Sequence, residues 1–139
     1  MRCLGKEINV VALADTLQID LTDAQGVTFV CYGVDVYTLT QNNAAGDGPD
    51  PLECINDFYA SDGVGAVWTH EVVDDNGALV NNDEVDDGAD CVVIDVAASD
   101  LADGMTGVIC TASATGVVTA ILHGLAVQRA PENLPSPVV

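Results

Sequence analysis

At 139 residues the chain fits one domain with a core of its own. Its 22 Asp and Glu against 3 Lys and Arg give a formal net charge of -19, which excludes nucleic acid and anionic membrane as partners, since both need cationic contacts. Hydrophobic residues make up 49% of the sequence, well above the regime of disordered chains, so the acidity coats a folded protein.

The dominant pattern along the chain is a period of two, broken by Gly, Asn and Asp clusters. It predicts strands over 8–13, 17–21 and 27–32, the second alternating Leu17, Ile19 and Leu21 with polar neighbours. Residues 34–40 continue or bend away after Gly33, as at a bulge or corner. QNNAAGDGPDP (41–51) is a long loop, and 52–63 favours a strand over a helix. In AVWTHEVV, Ala66, Trp68, His70 and Val72 share one face, and Asn76-Gly77 then predicts a hairpin turn. ADCVVIDV is a further strand, and AASDLADGM is a tight helical turn with Ser99 as its N-cap. Val108 to Ala112 and Val117 to Arg129 form the last hairpin, its turn at 114–116. The fold class that follows is all-β: an antiparallel β-sandwich or jelly-roll-like barrel over 1–129, with an extended proline-containing C-terminal tail over 130–139.

Chemistry-bearing motifs are sparse. Cys3, Cys31, Cys54, Cys91 and Cys110 contain no CxxC pair and read as small hydrophobes, with a Cys91 to Cys110 bridge as the alternative. His70 and His123 fall inside apolar alternation and read as structural. No serine stands in a GxSxG elbow, and neither a P-loop nor a dinucleotide fingerprint occurs, so the expectation is no enzyme. VNNDEVDDGADC offers Asp83, Asp86, Asp87 and Asp90 as oxygen ligands for Ca²⁺, although EF-hand spacing fails with Val85 and Ile94 at ligand positions. A solvated acidic loop with no cofactor is the favoured reading. Glu7 and Asn9 interrupt any signal-like opening segment and no apolar run is long enough for a membrane span, so synthesis in a cytoplasm is expected.

The last predicted strand is apolar on both faces, with Ile121, Leu125 and Val127 on one and Leu122 and Ala126 on the other. A strand of that kind is central and covered, or part of an interface. Arg129 closes it and is expected to pair with a carboxylate of its own chain or of a neighbouring subunit. Pro131, Leu134 and Pro135 then start the tail on an extended path. The candidate interface is therefore Ile121, Leu122, Leu125, Val127, Arg129, Pro131, Leu134 and Pro135.

From Cys91 onward, VVIDVAASDLADGMTGVICTASATGVVTAILHGLAVQRAPENLP resembles small all-β virion proteins of tailed bacteriophages, with a D-L-x-D-G corner, a hairpin and a final strand. The likeness covers about the last third of the chain, and GVTFVCYGVDVYTLT is more weakly similar. It implies a decoration or cement protein on the capsid exterior, bound to the major capsid protein and self-associating, with trimers favoured over dimers. The alternatives are another head or tail component, such as a spike or collar, and a Ca²⁺-dependent carbohydrate- or surface-binding module.

Overall fold

Alternation becomes strands wherever one side of the backbone finds a core to cover. The computed structural model describes residues 3–63, 65–72 and 82–139. In chain order its strands are β1 Ile8–Val11, β2 Ile19–Asp20, β3 Gly26–Tyr32, β4 Tyr37–Asn42, β5 Asp50–Pro51, β6 Asp57–Ser61, β7 Thr69–Val72, β8 Glu84–Val85, β9 Cys91–Ala97, β10 Gly107–Ala112 and β11 Val117–His123. They form two antiparallel sheets, one ordered β1-β11-β3-β9-β6-β7 and the other β2-β10-β4-β5, with β8 also on β4. Neither sheet closes on itself, so the sandwich holds and the barrel does not. The predicted Asn76-Gly77 hairpin, with Asp74 and Asp75, lies outside the described residues.

The core is the sum of alternate positions from both sheets. Val27, Phe29 and Cys31 of β3, Val92, Ile94 and Val96 of β9, and Val118, Ala120 and Leu122 of β11 face inward from the first sheet. Tyr37 and Leu39 of β4 and Val108 and Cys110 of β10 meet them from the second. Each large side chain fully withdrawn from water here stabilises the fold by about 1.5–3 kcal/mol before entropy is counted.

The bend after Gly33 is a corner at which the chain leaves one sheet for the other. Gly33 takes a left-handed φ of +104°, open to glycine and strained for other residues. The buried Tyr37 hydroxyl reaches back to donate to the carbonyls of Tyr32 (2.8 Å) and Gly33 (2.7 Å). Asp35 joins this corner to the β10–β11 turn, accepting from the backbone N–H of Gly116 (2.8 Å) and Ala114 (3.0 Å) and from the Ser113 hydroxyl. The Ser113 and Gly116 bonds hold its carboxyl well below the usual carboxylate range.

Several sequence expectations need correction. The last strand stops at His123, where Gly124 turns left-handed (φ +64°) and Gln25 N–H caps the His123 carbonyl at 3.0 Å. Leu125, Val127 and Arg129 are therefore loop residues. β11 alternates properly, with Ile121 on the outer face and Leu122 in the core. Ser99 lies inside the helical turn Ala98–Asp100, whose entry is fixed by Ala97 N–H donating to the Asp100 carboxylate at 2.9 Å. Within 52–63, only 57–61 is strand; Leu52 and Ile55 are buried loop residues.

The tail is extended after a helical turn at Pro131–Asn133, but it lies along its own domain. Val138 forms an antiparallel bridge with Ile19, Asp20 N–H donates to the Pro137 carbonyl (2.8 Å), and Val139 N–H donates to Gln18 O (3.1 Å). It completes the β2 edge of the second sheet.

Candidate functional site

Six of the residues expected at an interface do come together. Leu122, Leu125, Val127, Arg129, Leu134 and Pro135 line one groove of about 260 Å³, between the loop after β11 and the returning tail. Arg129 N–H donates to Gly5 O at 2.7 Å and Asn9 Nδ2 to Pro135 O at 3.4 Å, which pins both groove walls to the N-terminal segment. Asp20 and Asp23 also line the groove, yet among the described residues no carboxylate lies within ion-pair distance of the Arg129 guanidinium. The expected ion pair within the chain is absent there. Ile121 lies elsewhere, on the outer sheet face, and Pro131 stands exposed on the helical turn.

The acidic loop does not assemble. Among the described residues, no three Asp, Glu, His or Cys side chains gather closely enough to hold a metal, so Asp83, Asp86, Asp87 and Asp90 do not form the calcium cage that their sequence suggests. The loop is used as scaffold instead: Asp83 O accepts from Leu39 N–H (2.7 Å) and Asp90 O from Gly33 N–H (2.8 Å). Asp86, Asp87 and Asp90 are exposed. With Glu84 of β8, Asp50 of β5 and the nearby Asp47 and Glu53, they make the β5/β8 side of the second sheet strongly acidic, since both short strands pair with β4 there.

Neither histidine is a core residue. Both lie on the outer face of the six-stranded sheet, each bonded to a carboxylate on that face. His70 Nε2 donates to Asp57 at 2.8 Å while its ring stacks on Tyr59 with centroids 5.0 Å apart. His123 Nε2 donates to Asp95 at 3.0 Å, and the Thr28 hydroxyl donates to the same oxygen at 2.9 Å. Gly26 makes room for the His123 ring, which a Cβ there would meet at 2.8 Å. The stripe Ala66, Trp68, His70, Val72 is likewise turned to solvent.

All five cysteines are free thiols, and the neighbour of Cys110 is Cys31 across the sandwich, at 4.0 Å between sulfurs, in place of the bridge to Cys91. Hydrogen bonding to Cys31 and burial push the Cys110 thiol up, and burial pushes Cys54 up to about 12. Such thiols pack as hydrophobes and form little thiolate.

The carboxylates are thus placed unevenly, in contrast to a uniform coat. They sit on loops and short edge strands, while the long central strands carry few. Comparison of the chain with protein-family models, with curated proteins and with solved structures gave no match.

Proposed function

We propose that the chain is a structural virion protein that decorates and cements the exterior of a bacteriophage capsid, with the major capsid protein as its partner. The observation that carries this reading is the acidic side of the second sheet, where Asp50, Glu53, Glu84, Asp86 and Asp87 are exposed together. The sequence has no Lys or Arg between Lys6 and Arg129 to neutralise them. A rigid sandwich with such an edge suits docking onto basic patches of a shell, because charge complementarity steers encounter and fixes orientation. The C-terminal likeness to virion proteins points the same way. The groups that could do proton chemistry support it too, as Asp35, Tyr37, Asp57, Asp95 and both histidines spend their hydrogen bonds on tying strands and corners together. The calcium-dependent alternative finds no cluster of ligands among the described residues.

Co-sedimentation with emptied capsids of the encoding phage tests the proposal. The protein should pellet with capsids at about 50 mM salt and less at about 500 mM, as screening shortens. Glu84→Lys combined with Asp87→Lys should weaken binding further. A protein that stays in the supernatant at every salt concentration overturns the reading.

A further inference from the structure

We propose that two copies of this chain pair through the outer face of the six-stranded sheet. The register fixes what that face presents. One row runs Val117, Tyr32, Cys91, Ser61, of which Cys91 and Ser61 are already buried, and the next Thr119, Val30, Val93, Tyr59, His70. A third holds Val10, Ile121, Thr28 and Asp95. Val10, Tyr32, Tyr59, Val72 and Val117 are all exposed here, five of the eleven large apolar side chains that stand out in solvent among the described residues, and Trp68 flanks them beside β7 at 52% exposure. Aromatic anchors among β-branched residues, with few charges, are the composition of interface cores.

Charge selects the occupant. The molecule carries -19, so a cationic partner is drawn to the acidic loops and edges. This face is where a second, equally acidic copy is repelled least. Its strands present two carboxylates outward, Asp57 and Asp95, and each is hydrogen-bonded to a histidine of the same face. One oxygen of each, Asp57 Oδ2 and Asp95 Oδ1, keeps its partner when covered, which lowers the usual penalty for burying a carboxylate. The extent also fits: strands of four to seven residues, at ~3.4 Å rise and ~4.8 Å spacing, span roughly 550 Å² in plane. Side-chain relief raises that towards the ~800 Å² per partner of a stable association. Two copies of one face close about a two-fold axis, so a pair forms in place of the trimer that the resemblance implies.

Sedimentation velocity on the purified full chain, across concentration and salt, tests this without any capsid, so its outcome is separate from that of the docking proposal. The mass should rise from one chain to two with concentration, at lower concentration as salt is raised. Tyr59→Asp should weaken the pair more than about tenfold, because it buries an unpaired charge. Val10→Glu, at an exposed edge position, serves as a second variant should Tyr59→Asp misfold, and Val127→Asp in the groove should leave the pair intact. A single-chain mass under all conditions, a three-chain mass, or undiminished pairing in the folded face variants overturns the proposal. So does a single-chain protein whose capsid binding is lost in Tyr59→Asp, which would assign the face to the shell.

Discussion

Asp35 and Tyr37 hold the same corner and titrate in opposite directions. Asp35 has its carboxyl held below the ordinary range by Ser113 and by backbone N–H donors. Its contribution is complete above the unfolded value of about 4 and is lost as pH falls towards the depressed folded value. Asp35→Asn should lower the melting temperature at pH 7 and flatten its decline below about pH 4, read by circular dichroism across pH. Tyr37 is pushed up to about 12, chiefly by burial and then by the nearby Cys31. The sign reverses: its contribution is full below about pH 10 and disappears as pH rises towards 12. Tyr37→Phe removes the donor to two corner carbonyls and should cost about 1–3 kcal/mol in urea titration at pH 7, with a smaller alkaline loss than the parent.

At the scale of elements, the tail behaves as an edge strand. Removing residues 131–139 takes away the Val138–Ile19 bridge and uncovers Ile19, which is fully buried. We expect a loss of about 2–4 kcal/mol by chemical denaturation; unchanged stability would show that the tail contributes nothing to the fold. This edge was hard to read in the sequence. Leu17, Ile19 and Leu21 alternate cleanly, but only Ile19–Asp20 is strand, because only those two residues pair with the Gly107–Val108 end of β10, far along the chain. Strands with their apolar side inward, such as β3, β9 and β10, were legible from periodicity alone. Alternation in β7 marked two faces without saying which would be covered, since that depends on how β6 beside it is placed in the sheet. The aspartates of 83–90 looked like ligands because composition places them close in sequence, whereas backbone pairing with β4 and the Gly33 corner sets them apart. The interface residues around Leu122 and Leu134 were legible as an apolar set, but the groove they form needed the tail to return.

For the whole molecule, an accessible surface of 7779 Å² carries its acids unevenly, so repulsion is local to loops and edges. Raising salt from about 50 to about 500 mM should increase the melting temperature by about 3–6 °C, since acids clustered on one edge lie within a screening length of each other. Calorimetry at the two salt concentrations checks this. The sheet order also constrains the sequence of events in synthesis. β1 sits at the sheet edge with β11 as its strand neighbour, pairing Ile8 with His123. β1, though made before β11, must wait for it. While the ribosome is still extending the chain, β1 is an unmatched ribbon, and the sandwich can seal only after residues 117–123 have emerged, which makes late, long-range closure the slow step of folding.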